Sequence, residues 1–209
     1  MSPIVFRDLG RQPLIEVWDE MRRFTDQRTP ATPDEIWFVE HPPVFTLGLN
    51  ADRTHLLAPG EIPVVQIDRG GQVTYHGPGQ LVVYVMLDVR RLGLGVRALV
   101  EALENAVIST AAGYGVEAQS RREAPGVYVA GRKLAALGLR VRRKGSYHGI
   151  AINVAMNLAP FRAIDPCGYA DLEVTQLADC CAVDDPAVLR RDIEPQLLAQ
   201  LERAAAAAA

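Results

Sequence analysis

The chain has 209 residues, of which 49% are hydrophobic, so it can form one large domain or two small ones with a sizeable core, and disorder is not expected. A formal net charge of -3 gives no overall basic surface for nucleic acid, and no apolar run reaches the roughly 20 residues that a membrane-spanning helix needs. Three cysteines, two of them adjacent, and a start without signal-like character predict a reducing, cytoplasmic environment and no disulfide framework.

The first half of the chain alternates between helical and extended patterns. Residues 13–28 place apolar side chains at helical spacing and predict a helix. Extended apolar segments follow over residues 36–46, interrupted at His41-Pro42-Pro43, where the prolines exclude helix and central strand pairing. We expect a loop over residues 47–60, a strand over residues 64–68, and a strand buried on both faces over residues 81–89.

The second half of the chain predicts two further clear helices and a short one. An apolar stripe over residues 96–111 predicts the first, the pattern from residue 185 onward the last, and residues 171–178 the short one. The six alanines at 204–209 are either a frayed helix end or placeholders for unassigned residues. With no repeat or linker visible, residues 1–209 are expected to form one α+β domain, a mixed β-sheet with helices mostly on one side.

Residues 126–153 organise the chain. They predict three extended runs joined by turns at Gly131 and at Lys144-Gly145-Ser146. If the second run is one unbulged strand, its two-residue period places Lys133 on the same apolar side as Ala135 and Leu137. An ammonium group is unusual in that position.

Lys133 is also unusual because lysine is rare here. Among 22 Lys and Arg residues, the lysines are Lys133 and Lys144. A buried ammonium can lose its proton, whereas guanidinium cannot do so usefully, so Lys133 is a candidate for proton chemistry. The alternative is a lysine at a strand end that extends its amine into solvent.

A glycine-rich stretch, RGGQVTYHGPGQ, covers residues 69–80 and is predicted to be a loop at a sheet end. Its glycines bring backbone close to a neighbour, but their order does not match the nucleotide-binding or phosphate-binding motifs. We interpret it as a close-fitting wall for an elongated apolar ligand, with Tyr75 and His76 as polar groups. An ordinary glycine-rich turn is the alternative.

A second candidate stretch is DPCGY, residues 165–169. Pro166 fixes the backbone before Cys167 and Gly168 removes bulk after it, as a thiol nucleophile requires. A lone cysteine is more often a buried hydrophobic residue, and Cys180 and Cys181 are interpreted in that way. If Cys167 and Lys133 meet, the amine favours the thiolate or accepts its proton, and either form activates sulfur for attack on an acyl group.

A basic run contains Arg140, Arg142, Arg143 and Lys144, with Arg121 and Arg122 upstream. Such runs are usually a solvated face. The alternative is a docking patch for an acidic partner protein.

Three stretches resemble one known family, the lipoyl(octanoyl) transferases of the lipoate–protein ligase B family. They are RGGQVTYHGPGQ, GRKLAALGLRVRRKGSYHGIAINV from residue 131, and DPCGYADLEVTQL from residue 165, with HPPVFTLG at residues 41–48 as further support. The resemblance runs in order and at the expected spacing over about residues 36–177. It implies a fold shared with lipoate-protein ligase A and the catalytic domain of biotin protein ligase.

The resemblance also implies the activity and its residues. The enzyme would move an octanoyl group from octanoyl-acyl carrier protein to a lysine of a lipoyl domain, with Cys167 as the acyl-thioester cysteine and Lys133 as the activating lysine. The family usually has Ser where Ala136 stands, which leaves one substrate hydrogen bond in question. The matching substrate-binding residues are Arg69, Gly70, Gly71, Gln72, Val73, Thr74, Tyr75, His76, Ala136, Leu137, Gly138, Gly149, Ile150 and Ala151.

The implied acceptors are lipoyl domains of 2-oxoacid dehydrogenase complexes and the glycine cleavage H protein. Neither nucleic acid nor a membrane is expected as a partner. Because amide formation from a thioester is downhill, we expect no ATP, metal or other cofactor. Three alternatives remain open: an ATP-dependent lipoate or biotin ligase of the same fold, a silent acyl- or lipoyl-domain binding module, and a cysteine hydrolase.

Overall fold

The structure is a computed structural model that describes residues 3–142, 145–165 and 172–208, and within these residues ten strands form two sheets. The larger sheet contains seven strands: β1 (Ile4–Arg11), β2 (Asp34–Glu40), β6 (Gln80–Met86), β7 (Gln119–Ser120), β8 (Gly126–Val129), β9 (Arg132–Arg142) and β10 (Gly145–Asn153). The smaller sheet contains β3 (Val44–Leu47), β4 (Val64–Gln66) and β5 (Val73–His76).

The larger sheet is mixed, as predicted. Its order is β1-β2-β6-β10-β9-β8-β7, with β1 parallel to β2 and antiparallel pairing in the other pairs. The central strands β6 and β10 are buried along their whole length, which confirms the prediction of a strand covered on both faces. The predicted hairpins over residues 126–153 correspond to β8, β9 and β10.

Helices cover both faces of this sheet. Helix α1 (Leu14–Asp26) packs through Val17 and Met21 on one face, and α2 (Val96–Gly113) and α3 (Pro186–Ala207) pack on the other. The Asp185 side chain accepts the Ala187 N–H at 2.8 Å and so caps α3. Across the described part of the chain, none of the helices is long and apolar enough to cross a membrane.

Three predictions for the ends and loops were incomplete or wrong. Strand β1 was not predicted, because its apolar residues are mixed with charges and it forms an edge that pairs only with β2. Residues 73–76 are strand β5 and not loop, because they pair with β3. Residues 172–176 are not helical, since their backbone bonds to β9, and a short 3-10 turn at Leu177–Asp179 replaces the expected helix.

The prediction for β9 fails in one instructive detail. Tyr128 pairs with Lys133 while the preceding Val127 pairs with Ala135, so Leu134 is an extra residue in a β-bulge. Successive residues on β8 point to opposite faces, so Lys133 lies on the opposite side of β9 from Ala135. The unbulged register, with Lys133 on the same side as Ala135 and Leu137, is therefore wrong.

Candidate functional site

One cavity lies where the glycine-rich segment meets β9 and β10. Most of the residues predicted to bind substrate line it: Arg69, Gly71, Gln72, Val73, Thr74, His76, Ala136, Leu137, Gly138, Gly149, Ile150 and Ala151. Two predicted residues are absent from this lining. The Gly70 N–H donates to the Leu139 carbonyl at 3.0 Å, and Tyr75 packs in the core of the smaller sheet.

Glycine is required at two positions of the wall because backbone approaches backbone. A Cβ on Gly138 would lie 2.8 Å from the Gly70 carbonyl oxygen and 3.1 Å from Arg69 Cδ. A Cβ on Gly149 would collide with the Val83 carbonyl oxygen of the neighbouring strand. These glycines allow the segment after β4 and strand β6 to close around the cavity.

Arg69 is fixed within this wall although it carries a charge. Its guanidinium donates to the Thr46 carbonyl at 2.7 Å, to the Thr46 hydroxyl at 2.8 Å and to the Gly70 carbonyl at 2.8 Å. The residue is only 8% exposed. These bonds satisfy the buried cation through fixed oxygen atoms, and they tie the glycine-rich segment to β3.

Two histidines and a tyrosine form a polar layer next to the cavity. His76 lines it, with Nδ1 2.7 Å from Gln80 Oε1. Tyr84 also lines it, and its hydroxyl lies 2.7 Å from His41 Nε2. Burial lowers the pKa of His41 to about 4 and that of His76 to about 3, and burial raises the pKa of Tyr84. At neutral pH, both imidazoles and the phenol are therefore uncharged.

A second polar group is centred on Asp68. Its carboxylate lies 3.0 Å from His148 Nε2, accepts the Trp18 indole N–H at 2.8 Å, and accepts a short hydrogen bond from the Tyr147 hydroxyl. Burial acts to raise the pKa of this carboxyl, but these hydrogen bonds outweigh it and hold the pKa well below its usual range. Burial lowers the pKa of His148, and Asp68 opposes that effect.

Four of the polar side chains around the cavity have partners within the protein. Arg69 bonds to Thr46 and Gly70, His76 to Gln80, Tyr84 to His41, and His148 to Asp68. The same lining contains the aliphatic residues Ile67, Val82 and Ile150. The cavity suits an unbranched apolar chain despite the polar residues in its wall.

The neutral histidines predict that stability falls as the pH is lowered from 7 to 4. In the unfolded chain both imidazoles titrate near 6.5, so between that value and their folded values the unfolded state binds more protons. The free energy of unfolding is highest, with respect to these two groups, above pH 6.5. It decreases as the pH falls, by about 3 kcal/mol for each histidine at pH 4. Urea unfolding at pH 7, 6, 5 and 4 measures it.

Two variants test the origin of this pH dependence. His41→Gln should reduce the slope of unfolding free energy against pH, because it removes one of the buried histidines whose pKa is lowered. His55→Gln is the matched control, since His55 is partly exposed and lies 3.5 Å from Asp165 outside the cavity. A slope that His41→Gln leaves unchanged would contradict the assignment.

Lys133 is buried, with 2% exposure, beside a tyrosine ring. Its Nζ lies 5.3 Å from the centroid of Tyr128. Its backbone N–H donates to the Glu173 carbonyl at 2.8 Å, and its carbonyl accepts the Thr175 N–H at 2.9 Å. The segment that follows the DPCGY stretch therefore runs beside Lys133.

The second predicted catalytic residue, Cys167, lies outside the described residues, so its separation from Lys133 stays a prediction. The described residues nearest to Cys167 along the chain, Asp165 and Leu172, line one groove together with Arg132, the neighbour of Lys133. Cys180 and Cys181 are partly buried and packed after the 3-10 turn, and Cys181 Sγ donates to the Leu177 carbonyl at 3.4 Å.

The predicted basic patch is distributed over several environments. Arg142 lies 3.5 Å from Asp26 of α1, and Arg121 lies 4.3 Å from the Tyr128 ring centroid. Arg140 is partly buried and Arg122 is exposed, whereas Arg143 and Lys144 lie outside the described residues. A docking role for these side chains stays a prediction.

Sequence reasoning did not identify every residue of the cavity. It missed Ile67, Val82, Tyr84 and His148. Tyr84 was detectable as the polar-tipped residue within the apolar run over 81–89. His148 follows a tyrosine in the SYHG sequence, but its left-handed backbone, with a φ of 61°, gives no signal in a sequence.

The sequence profile of the lipoyl protein ligase A/B catalytic domain matches residues 15–202 of the chain. An octanoyltransferase of Alkalilimnicola ehrlichii is 62% identical over 179 residues, which is 86% of this chain and 83% of the relative. An octanoyltransferase of Pseudomonas entomophila is 58% identical over 198 residues, which is 95% of this chain and 92% of the relative.

Solved structures share the fold at low sequence identity. A bipartite lipoate protein ligase from Thermoplasma acidophilum has a TM-score of 0.73 and 13% identity, over 98% of this chain and 84% of that one. Biotin protein ligase from Aquifex aeolicus, in complex with biotin and ATP, has a TM-score of 0.58 and 11% identity, over 97% of this chain and 72% of that one. The expected likeness to biotin and lipoate ligase catalytic domains is confirmed.

Proposed function

The chain belongs to the family of lipoyl protein ligase A/B catalytic domains and is an acyltransferase that moves octanoyl groups to lipoyl domains, and we propose that it does so through a thioester on Cys167. The observation that carries this proposal is the cavity formed jointly by the glycine-rich segment, β9 and β10. The glycine-rich segment and the β9–β10 hairpin, which are distant in the sequence, meet around an apolar space, and Lys133 lies on β9.

The cavity supplies binding energy for an acyl chain. An octanoyl chain buries about seven carbons, worth on the order of 5 kcal/mol at about 0.8 kcal/mol for each CH₂. Each additional methylene discriminates between chains by about 10- to 200-fold. Because Arg69, His76, Tyr84 and His148 have hydrogen-bond partners within the protein, an apolar tail does not leave these four side chains without partners.

In the first step, the Cys167 thiolate attacks the thioester carbonyl of octanoyl-acyl carrier protein. A new carbon–sulfur bond forms, the bond to the phosphopantetheine sulfur breaks, and that sulfur takes a proton, for which Lys133 is the donor. The products are octanoyl-Cys167 and free acyl carrier protein. Backbone N–H groups of the glycine-rich segment or near Gly138 are candidates to stabilise the developing oxyanion.

In the second step, the ε-amine of a lysine on the lipoyl domain attacks octanoyl-Cys167. Lys133, neutral after the first step, accepts the proton that the amine loses, and the Cys167 sulfur leaves. An amide forms and the enzyme returns to its starting state. Because an amide is more stable than a thioester, the proposed reaction requires no ATP, metal or other cofactor.

The partners follow from these steps. Octanoyl-acyl carrier protein is the proposed donor, and lipoyl domains of 2-oxoacid dehydrogenase complexes and the glycine cleavage H protein are the proposed acceptors. Acyl carrier proteins and lipoyl domains are typically acidic, which matches the charge of Arg121, Arg122, Arg140 and Arg142. We further propose that residues 1–209 act as one catalytic domain and that the reaction takes place in the cytoplasm.

An ATP-dependent ligase is less well supported. The relatives named octanoyltransferase are 62% and 58% identical to the chain, whereas the ligase structures match at 13% and 11% identity. At the latter level, likeness extends to the fold alone. A ligase would consume ATP and would form no acyl-cysteine.

One mixing experiment tests the proposed function. The protein is incubated with octanoyl-acyl carrier protein, without ATP, and intact-mass spectrometry follows the enzyme and an added lipoyl domain. We expect a hydroxylamine-labile octanoyl adduct on the enzyme, then a hydroxylamine-stable octanoyl amide on the domain. Octanoate with ATP is the control for ligase activity. Octanoylation seen only in that control would overturn the proposal.

A further inference from the structure

The buried face of α2 carries one acidic side chain for which the acyl-transfer steps give no role. Glu104 is only 4% exposed and lies among Leu103, Ala106 and Val107. Removal of a carboxylate from water is costly unless a partner compensates for it. The groups that Glu104 contacts therefore indicate what it does.

Glu104 reaches from α2 to the first residue of β8. Its Oε1 accepts the Gly126 N–H at 2.7 Å. Gly126 has a φ of 140°, and a Cβ there would lie 2.8 Å from Lys133 Cε and 3.4 Å from Lys133 Nζ. The end of the Lys133 side chain therefore lies directly against the backbone unit that Glu104 holds.

Glu104 and Lys133 also interact through their charges. Burial and the charge of the neighbouring Glu101 raise the pKa of the Glu104 carboxyl, while the Gly126 N–H and the Lys133 ammonium act to lower it. Tyr128 lies beside this amine, with its ring centroid 5.3 Å from Nζ, and Arg121 lies 4.3 Å from the same ring centroid.

We propose that Glu104 is a positioning residue, which holds Gly126 against the Lys133 side chain and supplies the counter-charge for the Lys133 ammonium. The inference rests on the proposed role of Lys133 in acyl transfer. Lys133 is an ammonium at two points of that cycle. The first is before it donates a proton to the leaving sulfur, and the second is after it accepts a proton from the attacking amine. Glu104 stabilises that form in both steps without contact to the substrate.

The scarcity of lysine in the chain makes a direct test practical. Lysine labelled with ¹³C at Cε gives two NMR signals, from Lys133 and Lys144, and Lys144→Arg assigns them. In Glu104→Gln the amide oxygen can still accept the Gly126 N–H, but the charge is lost. We expect the pKa of the Lys133 amine to fall by about one unit, and kcat to fall about tenfold with KM changed less than about twofold.

A matched control lies one turn away on the same helix. Glu101 is exposed and forms an ion pair with Arg97 at 2.9 Å, so Glu101→Gln removes the same charge from α2 without contact to β8. Because Glu101 acts on Glu104 only through its charge, this variant should change the Lys133 titration and kcat much less than Glu104→Gln does. If Glu104→Gln does not fold, Glu104→Asp is the second variant. Its side chain is one methylene shorter, which moves the carboxylate away from Lys133, so the pKa of Lys133 should fall by less than in Glu104→Gln.

An unchanged Lys133 titration in the folded Glu104 variant would overturn the inference and leave Glu104 with a structural role. A shift of the Lys133 titration in Glu101→Gln as large as that in Glu104→Gln would overturn it as well. Failure of the proposed function is a separate result: the wild-type protein would transfer no octanoyl group. The titration does not depend on activity, so the two failures are distinguishable.

Discussion

Replacement of Cys167 by alanine is expected to abolish the octanoyl adduct and to lower octanoyl transfer at least about 1,000-fold. In the proposed cycle, octanoyl-Cys167 forms in the first step and is consumed in the second. Removal of the sulfur therefore makes both steps impossible and does not merely slow them. The remaining reaction is direct attack of the acceptor lysine on the donor thioester. Intact-mass spectrometry and single-turnover transfer to a lipoyl domain measure the two effects.

The chain provides its own controls for this variant. Cys180→Ala and Cys181→Ala remove thiols that lie beside the 3-10 turn, and both should acylate and transfer within about twofold of the wild-type protein. An octanoyl adduct that persists in Cys167→Ala would place the nucleophile elsewhere and end the proposed mechanism.

The interior of the fold was predictable because local pattern and final environment agree there. Strand β6 is a continuous apolar run and is buried on both faces, and α1 and α2 carry apolar stripes that face the sheet. Strand β1 was not predictable in the same way. It has no clear apolar pattern of its own, and its structure is decided by its pairing with β2. Strand β5 likewise depends on β3, which is distant along the chain.

The stretches that form the cavity were predictable from their glycine residues, whereas the hydrogen-bonded polar residues of its wall were not. Gly138 and Gly149 permit close backbone approaches, and the stretches that contain them were assigned to the site. The bonds between His41 and Tyr84 and between Asp68 and His148 join residues 43 and 80 positions apart. Such pairings follow from the fold and carry no local signal, so the sequence left the role of His76 and its neighbours open.

The position of Lys133 shows how a correct inference can rest on an incorrect register. Burial of the amine was expected from strict alternation along β9, yet the bulge at Leu134 breaks that alternation. The amine is buried for another reason, because Tyr128 and Gly126 cover it from the neighbouring strand. A bulge depends on cross-strand pairing, so the sequence of one strand does not reveal it.

Lys133→Arg is expected to lower kcat by about 100-fold or more, within the 10²- to 10⁴-fold range of general acid–base catalysis. Arginine keeps the positive charge but cannot exchange its proton at neutral pH. The charge alone would still favour the Cys167 thiolate, so the first step should retain more activity than the second. Rapid-quench measurement of adduct formation and of amide formation separates the two steps.

Size is the competing explanation for that loss, because guanidinium must fit where the lysine stem already lies close to Gly126. Lys133→Met provides the matched control, since it has nearly the same length without charge or proton, and urea unfolding verifies that each variant is folded. Methionine should impair both steps, whereas arginine should impair mainly the second. Equal losses in the two steps for folded Lys133→Arg would show that the positive charge alone does not support the first step, and near-normal turnover would remove Lys133 from proton transfer altogether.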